Sequence, residues 1–167
     1  MYYGDASGGE HTRRIGVGLV CFTDTFKFGL HSNLPVSVQT VGRGELFALV
    51  LLERYIHRHA ICEFVIDNYN VHKTFNEGPV SAMNSADCDL YHEMFTHMQL
   101  KQIHITVRWM PSHLSEGKKV RPQGVSDLDI EANDKADELA ASAAAVSYTT
   151  LTPQTISNLY TSLIADH

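Results

Sequence analysis

The chain has 167 residues, 44% hydrophobic and 19% charged, which fits a single globular domain with a sizeable core. Its longest uninterrupted apolar run, Leu46 to Leu52, is far too short to cross a bilayer, and the opening MYYGDASGG has no basic stretch followed by an apolar one, so neither a membrane span nor a signal peptide is expected. A net charge of −6 weakens the case for a nucleic-acid partner without excluding it, because phosphate neutralisation is a main source of such affinity.

Strand signals come first along the chain. Ile15, Val17, Leu19 and Cys21 alternate with Gly16, Gly18, Val20 and Phe22, a two-residue period with small residues on one face. Asp24-Thr25 reads as a turn, and Phe26, Phe28 and Leu30 then alternate with Lys27, Gly29 and His31 to give the second arm of a hairpin, broken at Asn33-Leu34-Pro35. Gly42 to His59 reads as a helix that is apolar almost all round and therefore buried. Ile61 to Asp67 is a short core strand. A short helix over Tyr69 to Phe75 follows, stopped by Gly78-Pro79, and a longer one runs over Ala86 to Gln102. Ile103, Ile105, Val107 and Trp109 alternate with polar residues as a half-buried strand, which places Trp109, like Tyr91, in the core. Pro111 to Leu128 is irregular. Asp129 to Ser147 is an alanine-rich helix, and Thr152-Pro153 caps a last short helix. The sequence shows no internal repeat or linker, and the order is that of an α/β fold with a mixed sheet.

Cys21, Cys62 and Cys88 are odd in number and form no CxxC pair. That pattern points to a reduced, intracellular setting, cytoplasm or nucleus, and argues against a cysteine-based zinc site.

Asp5, Glu45, Asp67 and Asp137 each stand where a strand ends or a helix exposes a polar edge beside an apolar stretch, and His113 follows the last strand. Gathered carboxylates repel, and burial raises the cost of ionising them. A divalent cation offsets both costs, and hard oxygen ligands suit magnesium or manganese. Discounting four acids as metal ligands leaves a net charge of only about −2. Each residue also has a plainer reading. Asp5 fits turn chemistry, Glu45 fits the first turn of a helix, Asp67 fits a loop start, and His113 is one of ten histidines. Asp134, one helical turn before Asp137, competes with it directly.

The segments around these residues, Gly4-Asp5-Ala6-Ser7-Gly8-Gly9, Arg43-Gly44-Glu45-Leu46-Phe47-Ala48, Ile66-Asp67-Asn68, Trp109-Met110-Pro111-Ser112-His113 and Asn133-Asp134-Lys135-Ala136-Asp137-Glu138-Leu139-Ala140, resemble the ordered motifs of ribonuclease H type 1. The resemblance spans nearly the whole chain, up to about Ala145, and divides it into an RNase H domain over 1–148 and a C-terminal helical extension over 149–167. It implies an RNase H-like fold, a five-stranded mixed sheet flanked by helices. It implies that Asp5, Glu45, Asp67 and Asp137 hold two Mg²⁺ ions, with Mn²⁺ as a substitute. The implied reaction is hydrolysis of the RNA strand of an RNA–DNA hybrid, leaving 5′-phosphate and 3′-hydroxyl ends, with His113 assisting proton movement or product release. The A-D-x-L-A frame selects Asp137 over Asp134. Around these acids, Ser7, Gly8, Arg43, Asn68 and Tyr69 are the candidate substrate contacts.

The chain also departs from the family pattern. Ala6 replaces the glycine usual after the first acid, and Val41 and Gly42 stand where asparagines often touch nucleic acid. Only four residues precede Asp5, so the first strand is expected to be very short or cut. Between His113 and Asp137 lies an insert carrying Lys118, Lys119 and Arg121, which reads either as a solvated loop or as a basic flap gripping phosphates. The compact form resembles ribonuclease H domains of retroelement polyproteins, which would make a reverse transcriptase of the same polyprotein a partner; a monomer with no membrane association is expected. Two other readings remain open: a DNA-cutting nuclease on the same fold, and a non-catalytic nucleic-acid-binding or scaffold module.

Overall fold

The structure is a computed structural model that describes residues 1–8, 14–35, 37–116 and 120–145. Five strands form one mixed sheet in the order β3-β2-β1-β4-β5: β1 (Tyr2–Gly8), β2 (Ile15–Phe22), β3 (Phe26–Asn33), β4 (Ile61–Ile66) and β5 (His104–Trp109). β1 pairs antiparallel with β2, and β2 with β3, while β1, β4 and β5 run parallel. The helices are α1 (Val41–Tyr55), α2 (Tyr69–Glu77), α3 (Pro79–Ala82), α4 (Cys88–Lys101) and α5 (Asp127–Ala145), with one 3₁₀ turn at Leu114–Glu116. This is the α/β architecture expected from the pattern of elements. No helix among the described residues is long and apolar enough to cross a membrane.

The sheet separates two cores. On one face α1 contributes Leu46, Leu49 and Leu52 against Val17, Leu19, Phe64, Ile66, Ile105 and Val107. On the other, α5 lays Ala132 and Ala136 on Tyr3, Val20, Phe22 and Val65. The side-chain period of two along each strand sorts residues between these faces. Two glycines let the helices come close enough to matter for function. A Cβ on Gly44 would stand 2.7 Å from the Ala6 methyl, so its absence lets α1 press onto β1. A Cβ on Gly18 would stand 2.1 Å from the Ala136 carbonyl oxygen, so the small face of β2 is the seat of α5.

Several expected boundaries move. β1 is not very short: it runs from Tyr2 through Asp5 to Gly8, because Ala6, Ser7 and Gly8 pair with Val17, Gly16 and Ile15. α1 ends at Tyr55, four residues early, where Ile56 turns extended and His59 adopts a positive φ of 61°. Gly78, at φ 87°, closes α2, and Pro79 opens α3 from its first position instead of only stopping a helix. Trp109 is corrected most: it is 37% exposed, because Ile105 and Val107 fill the core face of β5 and the strand ends at the rim. Tyr91 is buried as expected, at 3%. The expected last helix lies outside the described residues.

Candidate metal centre

Parallel strands β1 and β4 carry the first and third acids. Their parallel pairing runs Tyr2 with Phe64 and Tyr3 with Val65, and just beyond it stand Asp5, within β1, and Asp67, at the carboxyl end of β4, where open α/β sheets place ligand crevices. α1 supplies the second acid. Thr40 caps this helix by accepting from the Arg43 amide, and Glu45 falls just past the first turn, so its position owes little to the helix dipole. The close approach allowed by Gly44 then brings Glu45 over β1. Asp5, Glu45 and Asp67 each offer an oxygen such that all three lie within 4.8 Å of one another.

These acids sit on the wall of a cleft of about 410 Å³ that is also lined by Ser7, Gly8, Val41, Asn68, Ser112, His113 and Asp137. Asp5 and Glu45 are 8% and 6% exposed. Burial, then the Asp67 charge, push the Asp5 carboxyl up to about 8. Burial, then the charges of Asp67 and Asp5, push Glu45 up to about 9. Asp67 is also raised by burial, an effect opposed by hydrogen bonds from Glu45 and Asn133 and by the nearby His113. Without a cation, therefore, Asp5 and Glu45 favour their protonated forms near neutral pH. Glu45 Oε2 is buried with no hydrogen-bond partner. An orphaned carboxylate oxygen inside a set of three converging acids fits a divalent cation.

Asp137 lines the same cleft from α5 but is exposed and stands outside the tight group of three. Its charge still raises Asp5 and Asp67. Asp134 points elsewhere and accepts from the Ser115 hydroxyl at 3.0 Å. His113 sits on the rim at φ 55°, in the left-handed region that non-glycine residues rarely adopt and that clusters at functional positions.

Asn68 links the site to its scaffold. Its Oδ1 accepts from the amides of Asn70 and Val71, capping α2, and its side chain also hydrogen-bonds Glu45. Asn133 was missed by the sequence reading as a functional residue. The available signal was its spacing, four residues before Asp137 on one helix face.

Not every candidate contact reaches the cleft. The Arg43 guanidinium, in a residue only 5% exposed, is gripped by Asp87 at 2.8 Å and by both oxygens of Asp89. It staples α1 to the start of α4. Arg121 donates to the Val125 carbonyl and to Asp127 at the start of α5. Lys118 and Lys119 lie outside the described residues. Among the described residues, no lysine or arginine lines the cleft.

The sequence matches no protein-family model and no curated protein. Among solved structures it is similar to an RNase H1 from the halophilic archaeon Halobacterium salinarum NRC-1, with a TM-score of 0.52 and 16% identity over 85% of this chain and 94% of that one. The fold is RNase H-like. The mixed sheet of this RNase H-like domain places Asp5 within β1 and Asp67 just after β4, while Glu45 comes from α1 and Asp137 from α5.

Proposed function

We propose that this domain is a metal-dependent endoribonuclease that hydrolyses the RNA strand of RNA–DNA hybrids, leaving 5′-phosphate and 3′-hydroxyl ends. The observation that carries the proposal is the convergence of Asp5, Glu45 and Asp67 within 4.8 Å, on an RNase H-like fold, with a buried Glu45 oxygen that nothing else satisfies.

Asp5, Glu45, Asp67 and Asp137 would hold two Mg²⁺ ions, with Mn²⁺ as the substitute. Bound there, a cation pair supplies Lewis-acid stabilisation to the attacking and leaving oxygens of an in-line displacement. The chain's own part is positional. Asn68 and Asn133 orient Glu45 and Asp67, so the carboxylates are set before substrate arrives. Asp137, exposed on the cleft wall, would complete the ligand set from α5. His113, exposed on the loop after β5 and lining the cleft, would assist proton movement, as by protonating the departing 3′ oxygen, or product release. Ser7 and Gly8, which line the cleft from β1, would contact the sugar-phosphate backbone. Phosphates and sugars carry no base identity, so sequence preference is weak, and hybrid choice comes from 2′-hydroxyls on one strand and DNA geometry on the other.

The test is cleavage of labelled RNA–DNA hybrid, duplex DNA and single-stranded RNA by the same preparation, with and without Mg²⁺. Mg²⁺-dependent cutting of the hybrid's RNA strand alone supports the reading. Cutting of duplex DNA instead favours a DNA nuclease, and no cutting of any substrate favours a binding module.

A further inference from the structure

Two aromatic side chains, neither among the residues lining the acidic cleft, adjoin its lining residues Asn68 and Asp67. Tyr69, the first residue of α2, and Trp109, the last of β5, meet edge to face with ring centroids 5.6 Å apart and planes at 82°. They are 56% and 37% exposed. Trp109 is the chain's sole tryptophan, and its Nε1–H donates to the Asp67 carbonyl at 2.9 Å. That bond uses the indole's one polar atom, so what the side chain presents outward is an apolar face, fixed to the backbone of a metal-ligand candidate. His72 also neighbours Tyr69, with centroids 6.0 Å apart. Two rings at a right angle make a corner in which a flat aromatic body can lie on one face with its edge against the other.

The second observation is the charge of the neighbourhood. Among the described residues no lysine or arginine lines the cleft, and Arg43 and Arg121 are spent on carboxylates and a carbonyl of the fold. The described lining of the cleft therefore offers a polyanion no cationic side chain of its own, and other contacts beside it gain weight. Base stacking on aromatic side chains is such a contact, and it tolerates any sequence because every base has a π face.

We infer that Tyr69 and Trp109 form a stacking platform for an unpaired nucleobase of the strand whose phosphate lies over Asp5, Glu45 and Asp67. This rests on the nuclease reading above and adds a ligand class to it: nucleic acid with a base out of its duplex next to the cleft. A paired base inside a helix has no free face to offer, so the platform favours junctions, frayed ends and single-stranded flanks.

Trp109 reports on its own site by fluorescence. The wild-type chain is titrated with a short oligothymidylate and with an abasic sugar-phosphate oligomer of equal length. Both titrations are run in Ca²⁺, which neutralises the carboxylates while its loose coordination disfavours cutting. The expected result is quenching and binding by the oligothymidylate and much weaker binding of the abasic oligomer. Tyr69→Ala, at an exposed position, should weaken oligothymidylate binding roughly fivefold or more. Trp109→Phe, followed by anisotropy of a labelled oligomer with a thermal melt to confirm folding, should weaken it as well. Equal binding of both oligomers, binding without quenching, or no binding of either overturns the platform. Cleavage of a blunt hybrid is scored separately: a chain that cuts it yet treats both oligomers alike loses the platform and keeps the nuclease reading.

Discussion

Asn133 hydrogen-bonds the Asp67 carboxyl from α5, one helical turn ahead of Asp137 on the same helix. One face of α5 thus steadies a central acid and supplies a further acid to the same cleft. Asn133 is 5% exposed, and its own Oδ1 has no partner, so its position is set by the site and not by solvent. Asn133→Ala should leave Asp67 less well oriented and more readily protonated. Mg²⁺ affinity should fall about 10- to 100-fold, in the range seen when residues that orient metal ligands are removed. Calorimetric titration checks this, and an unchanged isotherm would show that Asn133 only packs.

The metal-free protein should lose stability as pH rises. Asp5, raised to about 8, and Glu45, raised to about 9, bind more protons folded than unfolded. Their contribution is complete below the ordinary carboxylate range of about 4 and is lost as pH climbs through about 8 to 9. Asp129, held at about 2 largely by Arg108 and Ser126 against the pull of burial, titrates below this window and does not blur it. Thermal melts without metal should therefore show Tm falling toward alkaline pH. Asp67→Asn should flatten the fall by removing a repelling charge. Added Mg²⁺ should restore Tm most at the alkaline end. A metal-free Tm that rises across the same window would refute the electrostatic account of the cluster.

The fourth acid is tested by contrast. Asp137 lines the cleft, whereas Asp134 is bonded to Ser115. Asp137→Asn should reduce hybrid cleavage strongly, and Asp134→Asn should leave it within a few-fold of wild type. Steady-state cleavage rates decide, and the reverse order would shift the register of α5 by one turn.

Arg43 should prove a staple. Its guanidinium joins α1 to Asp87 and Asp89 away from the cleft. Arg43→Ala should cost about 1–3 kcal/mol of stability, through lost charged hydrogen bonds and lost packing, with the surface carboxylates partly compensated by water. Its effect on hybrid affinity at a temperature where the variant is folded should be small. Denaturant midpoints and hybrid binding, measured on the same samples, separate the two roles.

Much of this was legible in the sequence for physical reasons. The period of two in Ile15–Phe22 and Ile103–Trp109 marks strands because each must sort its side chains between two faces. The all-round apolar stretch after Gly42 marks a helix buried against the sheet. Asp5, Glu45 and Asp67 were chosen by motif, and their meeting is a property of β1, α1 and β4 packing that no local pattern displays. Three residues were misjudged for the same reason. Trp109 obeys the strand alternation, but the sheet ends beneath it. Arg43 stands two residues before Glu45 in sequence, yet its side chain leaves the helix toward α4. Asn133 shares a helix face with Asp137, but that spacing alone does not announce a bond to Asp67, 66 positions earlier.

The central claim is that separated carboxylates share divalent cations. It is tested most directly by titrating Mg²⁺ into the wild-type chain and into Glu45→Gln by calorimetry, with proton release followed in two buffers of different ionisation enthalpy. The account predicts saturable binding to the wild type with release of protons from Asp5 and Glu45 near neutral pH, and loss of most of that binding in the variant, which folds at least as stably. Indistinguishable isotherms for the two proteins, or an absence of saturable binding in both, would contradict it.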